Sequence, residues 1–151
     1  MTKAVSVKRS VKPPRPAYIL EEQIGFILRQ VWQRHAAIFT RDIGINLTSA
    51  QWAALSKLNE TGPCSQNQLG RLTAMDVATI KGVIDRLTAR GLTETSPDPE
   101  DGRRLLVSLT RAGQQTAEKA AQNALAISRE TLAPLDAKER ETLFALLNKI
   151  R

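Results

Sequence analysis

Cys64 and His35 are the only thiol and the only imidazole in this chain, so neutral-pH side-chain chemistry has few possible seats. Cys64 follows Pro63 at a turn, and nothing around it marks His35 as its base, so a nucleophile–base pair is not indicated. The sequence has no glycine-rich phosphate loop and no cluster of metal ligands, and no metal, cofactor or enzymatic activity is expected. The chemistry on offer is ionic. In Asp98-Pro99-Glu100-Asp101-Gly102-Arg103-Arg104, two arginines supply planar donor forks that suit phosphate or a narrow minor groove. Asp98 and Asp101 cannot attract DNA, and their expected role is internal: one carboxylate holds an arginine so that the loop is preformed.

The elements around this loop must position it. Apolar residues recur at helical spacing from about Tyr18 to Asp42, through Leu20, Ile24, Ile27, Leu28, Val31, Trp32, His35, Ile38 and Phe39. A stripe so wide predicts burial against both the body of the protein and a partner chain. Thr48 and Gln51 form a capping box that opens a second helix, with Trp52, Leu55 and Leu58 inward and an end near Gly62-Pro63. Ser65 and Gln68 predict another capping box, opening a short helix with Leu69 and Leu72 inward. After the tight Thr73-Ala74-Met75 connection, a further helix runs from about Asp76 to Arg90, the two together forming a helix-turn-helix candidate. Strands are expected at Leu92 to Ser96 and Arg104 to Leu109, flanking the charged loop as a wing. Thr110 then caps a long alanine-rich helix to about Leu132. Pro134 breaks it, and Asp136 with Glu139 caps a last helix striped by Leu143, Leu146, Leu147 and Ile150.

On a helical wheel, Val77, Ile80, Ile84 and Leu87 form the buried side of the second helix of the pair, and Gly82 centres the opposite side. A glycine there costs roughly 1 kcal/mol relative to alanine, which a surface that must approach another body closely would explain. Ala78 and the Thr79 methyl suit a thymine methyl, Thr79 and Lys81 suit base edges or phosphates, and Arg86 suits phosphate. An ordinary solvated helix face is the alternative reading.

The charge distribution limits what the net +7 means. Residues 1–16 hold Lys3, Lys8, Arg9, Lys12 and Arg15 and no acid, and read as a disordered basic arm. From Ser65 to Arg104 six basic residues balance six acidic ones, so bulk charge does not establish DNA binding and arrangement must carry it. No apolar run approaches the ~18 residues of a membrane span. The basic start lacks an apolar leader segment, and cytoplasm is the expected compartment.

Leu47-Thr48-Ser49-Ala50-Gln51-Trp52, Leu69-Gly70-Arg71-Leu72, Thr79 to Leu87, Arg90-Gly91-Leu92, the Asp98 to Arg104 loop and Leu109-Thr110-Arg111-Ala112-Gly113 together resemble the MarR family of bacterial regulators. The resemblance covers about residues 18–151. It implies a mainly α fold with a small β-hairpin: a winged helix-turn-helix over residues 47–110, with dimerisation helices at 17–46 and 111–151. It implies a homodimer on a pseudopalindromic double-stranded DNA operator, most often a repressor released by a small aromatic carboxylate. By position, Ala78, Thr79 and Lys81 face bases, Arg103 belongs to the wing, and Asp101 matches the acid that orients a wing arginine. Two departures stand out: Glu100 at the wing tip, where many members have arginine, and Gly82, where many have a long side chain. Both shift weight to Arg103, Arg104 and shape recognition. The run from Met75 to Gly82 is most similar to regulators of aromatic-acid breakdown, with a hydroxylated nicotinate as the indicated ligand.

An aromatic acid needs a ring sandwich and a donor for its carboxylate. Trp52 and Phe39 offer the rings, and His35 or Arg41 the donor; plain core or interface roles for His35 and Trp52 are the alternatives. Two other functions compete: a redox-responsive regulator working through Cys64, and a winged helix that binds proteins rather than DNA.

Overall fold

The computed structural model describes residues 18–151, and the basic arm at 1–16 lies outside the described residues. A short 3-10 turn, Leu20–Glu22, leads into α1 (Ile24–Asp42). There follow α2 (Ser49–Thr61), α3 (Gln66–Leu72), α4 (Val77–Ala89), β1 (Thr93–Pro97), β2 (Leu105–Leu109), α5 (Arg111–Thr131) and α6 (Ala137–Ile150). This is a winged helix-turn-helix flanked by helices, with α5 packed along both α1 and α2. None of the helices among the described residues is long and apolar enough to cross a membrane.

Local chemistry explains most element ends. Thr48 with Gln51 and Asp136 with Glu139 form reciprocal capping boxes, each satisfying two otherwise orphaned backbone donors. The pair at Ser65 is a correction: its hydroxyl accepts from the Gln68 backbone N–H at 3.3 Å, but no return bond from the Gln68 side chain forms. The helix expected from Tyr18 is also interrupted. Gln23 is extended, and its Nε2 donates to the Ile19 carbonyl at 2.8 Å, so the regular helix begins at Ile24.

Two apolar clusters fill the interior. One centres on Leu55, Leu69, Ile80 and Leu87, with Leu92 and Val107 from the hairpin region and Ala117 from α5. The other joins Ile38, Phe39 and Ile43 to Ala120 and Ile127 of α5. Trp52 and Ile45 pack against both clusters and join them. Each fully buried leucine here contributes about 1.5–3 kcal/mol. Gly113 sits where α5 meets this core: a methyl in its place would collide with the Leu92 carbonyl oxygen, which also accepts the Thr110 N–H.

Three apolar assignments change. Leu72 is 44% exposed and Val77 is 67% exposed, Leu72 as the last residue of α3 and Val77 as the first of α4, where no neighbouring element covers them. Val83, 3% exposed, takes the place assigned to Val77. In α6 no residue is buried; of its stripe, Leu143 is half-covered and Leu146, Leu147 and Ile150 are exposed. The outer half of α1 behaves likewise, with Ile24, Leu28, Val31 and Trp32 uncovered and only Ile38 and Phe39 buried.

Gly113→Ala is expected to lower stability by about 1–3 kcal/mol, the usual cost of overpacking. Helix propensity alone would raise it by roughly 1 kcal/mol. Urea denaturation of the two proteins decides the sign.

Candidate nucleic-acid interface

The turn between α3 and α4 is tight because of two residues. Ala74 takes a left-handed conformation, φ 53°, and the Met75 N–H donates to the Gly70 carbonyl at 2.9 Å. A side chain at Gly70 would press on the Met75 carbonyl at 3.1 Å and on Ile80 at 3.2 Å, so glycine spares the two helices a crowded contact where they close. Asp76 then caps α4, its carboxylate accepting the Thr79 N–H at 2.7 Å. That bond, with support from the Thr79 hydroxyl, holds the Asp76 carboxyl below the usual carboxylate range. A depressed folded-state value means that the cap stabilises at neutral pH and is lost as acid protonates it.

With Ile80, Val83, Ile84 and Leu87 buried, the outer side of α4 presents Ala78, Thr79, Lys81, Asp85 and Arg86 to solvent, with Gly82 half-covered among them. Lys81 Nζ bridges to Asp85 Oδ2 at 2.6 Å, one turn away, so the two charges offset each other on an exposed surface. The Arg86 guanidinium lies back over Gly82: an added Cβ at Gly82 would meet Nη1 at 3.6 Å.

The wing is an antiparallel hairpin in the register Thr93↔Leu109 to Pro97↔Leu105. The Asp98 N–H donates to the Arg104 carbonyl at 2.8 Å, and the Arg104 N–H to the Asp101 carbonyl at 2.9 Å. Asp98, only 6% exposed, pairs through Oδ2 with Arg104 Nη2 at 2.8 Å and accepts the Glu100 N–H at 2.9 Å. The acid that holds a wing arginine is therefore Asp98. The assignment of that role to Asp101 is corrected: its carboxylate accepts the Arg103 backbone N–H at 3.1 Å, a turn-closing bond rather than a side-chain pair. Arg103 remains exposed, and Arg104 is tethered at one side of its fork.

Cys64 has a role that its sequence context did not suggest. It exchanges backbone hydrogen bonds with Val107, N–H to O at 3.2 and 2.9 Å, and so adds a one-residue rung that ties β2 to the helical body. Its thiol is 4% exposed, and burial pushes its pKa up, which disfavours the reactive thiolate. This geometry speaks against the redox-responsive alternative.

The four residues proposed for an aromatic acid are only partly brought together. His35 and Phe39 are neighbours on α1, ring centroids 6.4 Å apart, and Trp32 stands 5.7 Å from His35 on the other side. Trp32 was missed, although its spacing from His35 and Phe39 along one helix face was the available signal. Phe39 is buried, and Trp52 lies half-covered at the junction of the two core clusters. His35 Nδ1 lies 2.9 Å from the Thr131 hydroxyl, which itself donates to the Ile127 carbonyl at 2.9 Å. Nε2 makes no hydrogen bond among the described residues. Arg41 is a poor carboxylate receptor here. Its guanidinium is already engaged by Asp42 at 2.6 Å and Glu130 at 2.7 Å, and in return it holds the Asp42 carboxyl below its usual range.

Residues 47–105 match the profile of the MarR family. The chain is 41% identical over 134 residues to the HTH-type transcriptional repressor NicR of Pseudomonas putida, covering 88% of this chain and 85% of NicR. The crystal structure of a probable transcriptional regulator from Pseudomonas aeruginosa is 59% identical, with a TM-score of 0.84 over 88% of this chain and 100% of that one. BpsR of Bordetella bronchiseptica, solved to explain regulation of its DNA binding by 6-hydroxynicotinic acid, is 40% identical, with a TM-score of 0.85 over 89% of this chain and 97% of BpsR.

Removing the buried carboxylate in Asp98→Ala is expected to cost about 1–3 kcal/mol of stability, against less than about 1 kcal/mol for Asp101→Ala; thermal melts of both test the assignment. An NMR pH titration is expected to give Asp76 a midpoint below the usual carboxylate range. The Thr79 amide signal should follow that same midpoint.

Proposed function

The chain belongs to the MarR family, and from that premise we propose that it is a homodimeric, ligand-responsive repressor of transcription. Its relatives are transcriptional regulators, and the family binds DNA as dimers. In the proposed arrangement residues 47–110 read DNA, and the helices within 17–46 and 111–151 pair two protomers. Two copies of α4 enter major grooves about one helical turn apart on a pseudopalindromic operator, and the wings reach the flanking backbone. Ala78, Thr79, Lys81, Gly82 and Arg86 face the groove, and Arg103 and Arg104 serve the wing.

The observation that carries this reading is α4 itself. Its apolar side is anchored in the core, its outer side is small and polar, and a preformed wing bearing two arginines stands beside it. Pairing of protomers is supported by the uncovered apolar side chains of Ile24, Leu28, Val31 and Trp32 on α1 and Phe144, Leu146 and Ile150 on α6. Large apolar side chains left exposed in this way mark a surface suited to protein contact.

For the effector, the reading is a small aromatic carboxylate of the hydroxylated-nicotinate type. The likeness to BpsR, whose DNA binding is regulated by 6-hydroxynicotinic acid, supports it. So do the rings of Trp32 and Phe39 on either side of His35. His35 rather than Arg41 is the better-placed polar group, since Arg41 is engaged by two carboxylates, whereas His35 Nε2 has no partner among the described residues and suits the ring hydroxyl of a hydroxylated nicotinate.

Fluorescence anisotropy on the DNA next to the protein's own gene tests both halves. Tight, competitor-resistant binding that weakens steeply with salt is expected, with release by 6-hydroxynicotinate. Weak binding, equal on unrelated DNA, would sink the operator reading and favour a protein-binding winged helix. His35→Ala is expected to blunt release by the acid while leaving DNA affinity intact; unchanged release removes His35 from the effector site.

A further inference from the structure

Gly82 lies at the centre of the outward side of α4, yet it is half-covered rather than exposed. The side chain nearest to it is that of Arg86. The space a Cβ at residue 82 would occupy lies 3.6 Å from Arg86 Nη1, 3.9 Å from Nη2 and 4.0 Å from Cζ, so the whole guanidinium plane rests above the glycine. Helix geometry favours this posture, because side chains lean toward the N-terminus and a residue covers the one a turn before it. The lean carries the charge from the last turn of α4 toward the half of the helix that enters the groove.

Arg86 is also the uncompensated charge on this helix. Lys81 and Asp85 are paired at 2.6 Å, and among the described residues the Arg86 side chain makes neither an ion pair nor a hydrogen bond. Its donors are therefore free, and the glycine beneath them leaves the guanidinium room to lie across the helix. A planar fork in that position matches O6 and N7 of guanine, which arginine contacts in bidentate fashion.

We propose that Arg86, seated over Gly82, reads one guanine in each half-site, doing from one turn away what a long side chain at residue 82 would do directly. This rests on the DNA-binding reading above and adds a specificity role that a phosphate contact would not have. A Cβ at residue 82 would meet the guanidinium only at ordinary contact distance, so what this seat excludes is a side chain longer than alanine.

The test uses the full-length protein and the operator defined by footprinting, with Arg86→Ala, Gly82→Met and the double variant. Arg86→Ala is expected to bind roughly 5- to 150-fold more weakly, the range of one bidentate pair. It should also become indifferent to replacement of one symmetry-related G·C pair that the wild type requires. Gly82→Met, which displaces the guanidinium while improving helix propensity, is expected to show a similar loss with a Tm no lower than the wild type. In the Arg86→Ala background, Gly82→Met should cost nothing more. If Arg86→Ala instead weakens all sequences alike and makes the salt slope shallower by about one, Arg86 touches phosphate and the proposal is overturned. A further loss from Gly82→Met without Arg86 also overturns it, since the methionine would then be colliding with DNA itself. A wild-type protein with no specific site overturns the regulator reading and this one together. Where the wild type does bind a specific site, failure of the variants to behave as expected counts against Arg86 alone.

Discussion

Burial of Ile80, Val83, Ile84 and Leu87 in a cluster with Leu55 and Leu69 sets the rotation of α4 about its own axis, and the candidate interface depends on that rotation. A helix has one degree of freedom that its own hydrogen bonds do not restrain, namely which side faces in. Here four apolar side chains of one helix side remove it. Gly70 lets α3 approach closely enough to complete the burial. Once the inner side is settled, Thr79, Lys81, Gly82 and Arg86 have no choice but to face outward.

The wing is built on a different interaction. It is held less by apolar contact than by a buried carboxylate, since Asp98 gathers the Glu100 amide and the Arg104 guanidinium within hydrogen-bond distance. The Cys64–Val107 rung then couples the hairpin to the body. The wing is thus shaped before any ligand arrives, and less ordering entropy remains to be lost when it meets one. The same pairing leaves the reading region close to neutral, so attraction to a polyanion rests on a few uncompensated arginines rather than on a broad field.

Much of this was legible in the residues. The capping pairs Thr48 with Gln51 and Asp136 with Glu139 are contacts three residues apart, which any chain in a helix brings together. The helix-turn-helix and the hairpin were likewise readable, because their periodicities and breakers are local. Leu72 and Val77 depart from the apolar pattern because apolar character says that a side chain can be buried, while cover at a helix end depends on what lies beyond it. Asp98 and Asp101 were indistinguishable as candidates, since both are acids near two arginines. Register decided between them: Pro97 opposite Leu105 turns the Asp98 carboxylate inward beneath Arg104.

The sequence by itself determined the order of elements, their caps and the outward placement of the small and polar residues of α4, all set by interactions within a few residues. Only the tertiary structure decided which acid holds the wing, that Cys64 is a strand rung rather than an exposed thiol, that Arg41 is engaged by Asp42 and Glu130, and that Arg86 lies over Gly82. The reason is physical: those outcomes depend on directions and distances that only packing sets, including between groups as far apart in the chain as Arg41 and Glu130.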